Sequence, residues 1–211
     1  MKTLALLLFT IVTATWLPLN AQISASFVHN SERWSIIPGT VPVKHQAGGP
    51  TNGYIYSADI LQQNQAINWF FTASPAFTGN LTPYFRGALS FRMRLLRRGA
   101  STLNGFYDVV IVGANGQALI YKFANLPNNE WTPYRLRLDA KDPNWRVIPA
   151  NQVQVNTSNN PWFSANLPTP NDRQFFAIIS NVRSLHIRGE FMVGDDSCAL
   201  DEVFLNKPKQ Q

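Results

Sequence analysis

The sequence predicts an all-β protein, a two-sheet antiparallel β-sandwich, on three observations. Several short segments alternate apolar and polar residues, which is the period of a strand with one buried face. Gly, Pro, Asn and Asp, the residues that turns favour, separate these segments. Helical spacing of apolar residues is confined to one short stretch, so strands do not alternate with helices and an α/β fold is disfavoured.

The first clear strands lie in the middle of the chain. Residues 88–96 alternate, so that Arg92 and Arg94 face outward from an apolar strand. Residues 106–123 contain two apolar runs around the Asn-Gly pair at 115–116, a strong hairpin signal. We therefore expect one amphipathic strand followed by a hairpin.

The next segments repeat this alternation once and then break it. Residues 133–139 alternate again and place Arg135 and Arg137 outward. Residues 172–180 have apolar side chains at helical spacing, which predicts one short helical turn.

The C-terminal stretch predicts a two-strand unit. Residues 184–193 alternate as one strand, with Arg188 and Glu190 on its polar face. Residues 194–197 have the composition of a turn, and a second strand is expected over 199–205.

Two adjacent carboxylates in that second strand need an explanation. Strict alternation puts Asp201 on the face of Val203 and Glu202 on the opposite face, so one of the two points toward the apolar side. An ionised buried carboxylate needs compensation. Backbone N–H groups, Arg188 or a calcium ion held by Asp201 would each supply it, and these alternatives stay open.

The chain has the layout of an exported protein. Residues 1–21 combine a basic start, an apolar run and a small-residue end, which indicates a signal peptide. That apolar run is shorter than a transmembrane helix normally requires. We expect one domain over 22–206 and a polar tail over 207–211.

Charge and cysteine content narrow the classes of partner and site. The formal net charge is +6, and the chain lacks a DNA- or RNA-binding motif, so an acidic polysaccharide is a more available partner than nucleic acid for an exported protein. A single cysteine, Cys198, excludes an internal disulfide and a thiolate cluster. The three histidines have no zinc-ligand spacing.

Two segments are predicted to be irregular, 39–55 and 148–172, because they are rich in Gly, Pro and polar residues. The second contains Trp162 and Phe163, which are candidates for stacking on sugar rings, with a loop that tucks its aromatics down as the alternative. Trp34, Trp69, Trp131 and Trp145 lie in or beside strands, and core packing is expected for all four.

The arginines form a further candidate site. If Arg92, Arg94, Arg135 and Arg137 point outward together, they form a cationic surface suited to sulfated or uronic polymers, whereas the alternative is an ordinary solvated face. Arg188, which would join them if it also pointed outward, lies two residues before Glu190, and a structural ion pair or turn clamp is expected there.

The order of motifs resembles the laminin IV type A domain, also called laminin B, in the form of a stand-alone exported bacterial-type module. The resemblance runs from about residue 26 to 205 and is carried by SFVHNSERWSII, GGPTNGYIYSAD, INWFFTASPAFTGNLTPYFRGALSFRMR, DVVIVGANGQALIY, EWTPYRLRL, NWRV and IISNVRSLHIRGEFMVGDDSCALDEVFL. The last stretch is the most specific, with Leu-x-Ile-Arg-Gly-Glu, a Gly-x-Asp turn and a Leu-Asp-x-Val ending.

The resemblance implies a jelly roll similar to carbohydrate-binding modules, a non-enzymatic extracellular role and no agreed ligand. In similar jelly rolls a calcium ion is often held between the N-terminal segment and an Asp of the last strand, here Asp201. The chain departs from the pattern at residues 28–31, where family members often carry acidic residues and this chain has Val-His-Asn-Ser. That departure weakens the expectation of a structural calcium.

Three functions are therefore compared. The first is a non-catalytic extracellular or envelope module for structural or adhesive contacts with a surface or matrix protein. The second is a module that binds extracellular, acidic polysaccharide. The third is a glycoside hydrolase, which needs two carboxylates facing across a cleft. Glu190 with Asp195, Asp196 or Asp201 is the available set, but nothing in the spacing singles out a pair. We expect no enzyme.

Overall fold

The computed structural model describes residues 22–38, 42–58, 61–62, 65–66, 68–153 and 167–209. Two six-stranded antiparallel sheets pack face to face, so the predicted β-sandwich is confirmed. The expected signal peptide at 1–21 and the candidate residues Trp162 and Phe163 lie outside the described residues.

We call the sheet that contains the C-terminal strand sheet A. Its order is β12 (Thr132–Arg137), β8 (Ala88–Arg97), β16 (Ser197–Asn206), β4 (Gly53–Ala58) and β3 (Lys44–Ala47), and β1 (Ile23–Ala25) also pairs with β16. Because β12 and β3 end this order, they are the edge strands.

The opposing sheet, sheet B, contains the predicted hairpin. Its order is β13 (Trp145–Ile148), β11 (Ala118–Tyr121), β10 (Val109–Gly113), β14 (Val182–Arg188), β7 (Phe70–Thr72) and β2 (Ser35–Ile37). Two small ribbons pair β15 (Met192–Val193) with β9 (Ser101–Thr102), and β5 (Leu61–Gln62) with β6 (Gln65–Ala66). Short 3-10 turns lie at Pro75–Phe77, Thr82–Tyr84 and Ala150–Gln152.

The single predicted helical turn is α1 (Asp172–Ile179). Asn171 and Gln174 form a capping box at its start, each side chain bonding the other residue's backbone N–H. Phe175 and Ile178 lie on its buried face, which packs against the hairpin strands β10 and β11. Capping and one apolar stripe therefore explain why the helix forms at this place in a β protein.

Large side chains fill the space between the sheets. Trp34, Trp69 and Trp145 are buried there, as predicted. Trp131 is half-buried and packs against Tyr54 instead, so its assignment to the core is wrong. Trp131 precedes β12 by one residue, where strand alternation does not fix the direction of a side chain.

Two further expectations need correction. The segment 39–55 is not irregular throughout, because β3 forms in its middle and β4 begins at its end. Residues 184–193 are not one strand, because β14 ends at Arg188. A Cβ on Gly189 would lie 2.0 Å from the Trp69 ring, so only glycine fits at this position beside the ring. The strand ends immediately before this glycine.

Strict alternation also fails in β16. The pairing of β16 with β8 shifts register between Asp201 and Phe204, and Glu202 has a φ of 53°. This bulge lets Leu200 and Val203 both reach the core, although they are three residues apart. The expectation that Asp201 shares the face of Val203 is therefore wrong, and Asp201 faces away from the core.

Candidate functional site

The two outward arginines of β8 and the two of β12 share one face of sheet A. Arg92 lies opposite Pro133, and Arg135 lies opposite Ser90. Residues directly opposite in an antiparallel pair point to the same side of the sheet, as do residues two apart in one strand, so Arg94 and Arg137 join them. Arg135 and Arg137 are exposed, and the other two are half-buried.

An aromatic row lies on the same face. Tyr56 is opposite Ala199, which is itself opposite Arg94, so Tyr56 and Tyr54 point to the arginine side. The Trp131 ring stands edge-on to Tyr54 at 5.5 Å, and the two tyrosine rings are 6.0 Å apart. The sequence signal for this row was the Tyr-x-Tyr alternation in β4.

We call this surface the aromatic–arginine face; its members are Tyr54, Tyr56, Trp131, Arg92, Arg94, Arg135 and Arg137. Three of its guanidinium groups are committed to partners within the protein. Arg92 pairs with the Glu202 carboxylate, Arg137 pairs with the Asp139 carboxylate at 3.1 Å, and Arg94 donates to the Asn129 carbonyl at 2.8 Å. Among the described residues the Arg135 guanidinium has neither a hydrogen bond nor an ion pair, so of the four arginines it is the one available to a ligand.

Asp201 lies beneath this face and is fully buried. Its Oδ1 accepts hydrogen bonds from the Thr51 hydroxyl at 2.8 Å and from the Glu202 N–H at 2.7 Å. The Thr51 hydroxyl also lies 2.8 Å from the Ser26 carbonyl, so two acceptors compete for one hydroxyl proton. Burial raises the pKa of Asp201 to about 6.

The glycine-rich segment closes over Asp201. Gly49 has a φ of 81°, and a Cβ there would lie 3.0 Å from the Tyr54 ring and 3.3 Å from both Asp201 Oδ2 and the Trp131 ring. The backbone therefore rests directly on the aromatic row. Thr51, on the other side of Pro50, holds Asp201 by hydrogen bonds from its hydroxyl and its N–H.

The oxygens around Asp201 do not fit calcium. Calcium takes six to eight oxygen ligands, commonly with several carboxylates. Around Asp201 the described residues offer its own carboxylate, the Thr51 hydroxyl and the carbonyls of Ser26 and Gly53, and N–H and O–H donors already bind the carboxylate. Glu32, the nearby N-terminal acid, accepts from the N–H of Ser26 and of Phe27. No group of three or more His, Cys, Asp or Glu placed to hold a metal occurs in the described part of the chain.

Arg188 does not join the outward arginines, because its side chain is 1% exposed. Its Nη1 lies 3.3 Å from Asp108 Oδ1, and its Nη2 donates to the Leu103 carbonyl at 2.8 Å. The guanidinium carbon is 4.8 Å from the ring centres of both Phe106 and Phe191. Arg188 is thus a clamp between loops: it forms an ion pair with Asp108, and the charge of Glu190 also stabilises it.

Burial dominates the electrostatics of this clamp. It raises the pKa of Asp108 to about 6, although Arg188 and the Phe123 N–H stabilise the ionised form. Glu190 and Asp196 are fully buried nearby, and both stabilise the charge of Arg188. Asp196 accepts from the Met192 N–H at 3.0 Å.

These burials also bear on the hydrolase hypothesis. A catalytic pair must reach a sugar in a cleft. Glu190, Asp196 and Asp201 are each 0% exposed, and only Asp195 of the candidate set is on the surface, where it pairs with Arg97. In this structure the proposed carboxylates cannot flank a substrate.

The described residues contain no helix long and apolar enough to cross a membrane. No curated protein matches the sequence. Several solved structures share its fold. The L4b domain of human laminin alpha-2 is 10% identical with a TM-score of 0.62, and the alignment covers 90% of this chain and 98% of that one.

Carbohydrate-binding proteins are also among the structural neighbours. A family 11 carbohydrate-binding module of a Clostridium thermocellum cellulase is 10% identical with a TM-score of 0.52, covering 90% of this chain and 97% of that one. An exo-beta-agarase is 13% identical with a TM-score of 0.55, covering 88% of this chain and 26% of that one. At these identities the likeness shows the fold, and with it the jelly-roll architecture.

The sequence itself decides the family. The model of the family described as Laminin B (Domain IV) matches residues 70–210, which is more than half of the chain. The matched region includes β8, β12 and β16 of sheet A, and with them the four arginines and Trp131. The chain belongs to the Laminin B (Domain IV) family.

Proposed function

We propose that this protein is an exported, non-catalytic module that binds acidic polysaccharide on the aromatic–arginine face. The observation that carries the proposal is the pair of half-buried rings of Tyr56 and Trp131, which pack on the buried Tyr54 and lie beside four arginines on one sheet face. Sugar rings present apolar C–H faces that bury area against aromatic rings. Guanidinium groups bind carboxylate and sulfate in a forked geometry.

Charge and fold support the same conclusion. The formal net charge of +6 attracts anionic polymers. A structure of the family 11 module in complex with a beta-1,3-1,4-mixed-linked tetrasaccharide has a TM-score of 0.53 with this chain, so this architecture can carry a sugar site. Export would place the module outside the cell or in the envelope, where such polymers occur.

A second candidate is an adhesive module whose partner is a surface or matrix protein. Membership of the Laminin B family and the likeness to the laminin alpha-2 domain favour it. In this case the same open face would contact protein, and glycans would not compete.

Screening the purified protein against a polysaccharide array tests the proposal. Binding to uronic or sulfated polymers, lost in Trp131→Ala and kept in the matched surface variant Phe176→Ala, supports it, since Phe176 is 46% exposed and lies on α1, away from the face. If the wild-type protein binds none of the polysaccharides, the proposal that it binds acidic polysaccharide is wrong, and the candidate function with a protein partner takes its place.

A further inference from the structure

A groove lies beside the free edge of sheet A. Its volume is about 220 Å³, and its wall includes Phe123, Asn125, Thr132, Tyr134 and Arg135. The Thr132 to Leu136 stretch of edge strand β12 forms one side, and residues 121–125, which end β11 and follow it, form the other. The groove therefore opens at the flank of the sandwich, next to the aromatic–arginine face.

The wall of the groove combines two aromatic residues with one charged residue. Phe123 and Tyr134 are stacked with ring centres 4.1 Å apart, which gives a firm apolar floor. The Tyr134 hydroxyl donates to the Asn125 carbonyl at 3.1 Å, so the ring is fixed in place. Arg135 is the one charged residue among the described residues that line the groove, and its side chain leaves β12 toward the adjacent aromatic–arginine face.

Two features limit what can occupy it. Pro133 lies in the edge strand and lacks an N–H, which disfavours addition of a peptide strand along β12. The volume is below the range of about 300 to 1,000 Å³ that drug-sized ligands occupy, so the groove suits a single sugar unit. An uncommitted guanidinium beside neutral walls selects a unit with an anionic substituent.

We propose that this groove is a subsite for one anionic sugar unit, carrying a carboxylate or a sulfate, and that Arg135 is the residue that selects the anion. The inference rests on the proposed function, because Arg135 belongs to both surfaces and a polymer on the aromatic–arginine face would pass it. The other three arginines of that face would have to give up an internal partner, whereas Arg135 would not.

Titration of the ¹⁵N-labelled protein with single sugars at neutral pH tests the subsite. Glucuronic acid, and separately glucose 6-sulfate, should shift the amide signals of residues 121–136, and glucose should shift them at least tenfold more weakly. Arg135→Gln should weaken glucuronic acid binding by about tenfold or more, since it removes a charge-assisted hydrogen bond. Arg173→Gln, an exposed arginine on α1, should leave it unchanged. Comparing the two acids shows whether carboxylate or sulfate is preferred.

The outcomes separate this subsite from the function of the whole face. If neither acid shifts these amides, or if glucose binds as well as glucuronic acid, the subsite is wrong. If the wild type binds acidic polymers and Arg135→Gln keeps the full preference for them over neutral polymers, the subsite is again wrong while the proposed function stands. Loss of that preference with retained binding to neutral polymer supports the subsite.

Discussion

The two outer faces of this sandwich differ, and the difference shows where a ligand can bind. On sheet A the strands alternate, and Arg135 and Arg137 meet water. On sheet B the outward residues Phe70, Val110 and Ile120 form a second buried apolar cluster. A strand that is apolar on both sides is covered on both sides, whereas an alternating strand keeps one face open.

The arginines also differ in exposure between the two sheets. The four of sheet A lie on an open face, while Arg188, at the end of β14 in sheet B, is enclosed by Asp108 and two aromatic rings. Alternation predicted which way each side chain leaves its strand. It did not predict whether that side meets water, and this is why Arg188 looked like a member of the cationic surface.

Breaking the buried clamp should have the largest effect on stability. We expect Arg188→Ala to lower the free energy of unfolding by about 3 to 5 kcal/mol, because it leaves the buried Asp108 without its partner. Urea unfolding followed by tryptophan fluorescence measures this. Arg183→Ala, an exposed position on the same strand, is the matched control and should stay within about 0.5 kcal/mol of the wild type. Equal effects at the two positions would contradict the buried clamp.

Shortening an apolar side chain on the covered face of sheet B should have the next largest effect on stability. Ile120→Ala should lower the free energy of unfolding by about 2 to 4 kcal/mol, because it opens a cavity in the second apolar cluster. The equivalent change on the open face, Arg135→Ala, should change it by less than about 0.5 kcal/mol. The comparison of the two outer faces fails if both variants unfold at the same urea concentration.

Neutralising the buried acid of sheet A should have a pH-dependent effect. The folded-state pKa of Asp201 lies above its ordinary value, so the folded protein holds this proton more tightly than the unfolded chain does. The stability that this proton contributes is fully present below about pH 4 and is lost as the pH rises through about 6. Asp201→Asn should therefore gain stability relative to the wild type across that window, by up to about 2 kcal/mol.

Thermal unfolding of both proteins at pH 4 and pH 7.5 measures the shift from Asp201. Asp108, and His186, whose pKa burial lowers to about 4, titrate in both proteins, so their contributions to the pH dependence cancel in the difference. A difference that is the same at the two pH values would show that folding does not raise the pKa of Asp201.

The smallest expected effect is that of a chelator. Calcium bound only to the folded state would raise the melting temperature, and EGTA would reverse the rise. Because hydrogen bonds from Thr51 and Glu202 satisfy Asp201, we expect EGTA to leave the melting temperature unchanged. A drop with EGTA that is absent from Asp201→Ala would establish the calcium site that the family resemblance implies.

Much of the fold could be predicted because strand period and turn chemistry are local. The segments at 88–96, 106–123 and 133–139, together with the helical turn at 172–180, all formed near the predicted bounds. The departures came from contacts between distant residues. The Trp69 ring leaves room only for glycine at residue 189, where β14 has ended, and a bulge at Glu202 reverses the faces of β16.

The candidate site was only partly visible in the sequence. Outward arginines follow from alternation, so Arg92 and Arg135 could be identified, but their placement on one face depends on the pairing of β8 with β12. Trp131 was assigned to the core because an aromatic residue beside a strand usually packs there. Only the pairing of β4 with β16 brings Tyr54 within reach of it.

The most direct test of the account is the salt dependence of polysaccharide binding by three proteins. For the acidic polymer that binds best, we expect Trp131→Ala to weaken binding about equally at low salt and at 1 M salt. The double variant Arg135→Ser with Arg137→Ser should lose most of the salt dependence, since screening at 1 M shortens to roughly 3 Å and already removes the charge contribution from the wild type. If both variants bind as the wild type does at every salt concentration, the aromatic–arginine face is not the binding surface.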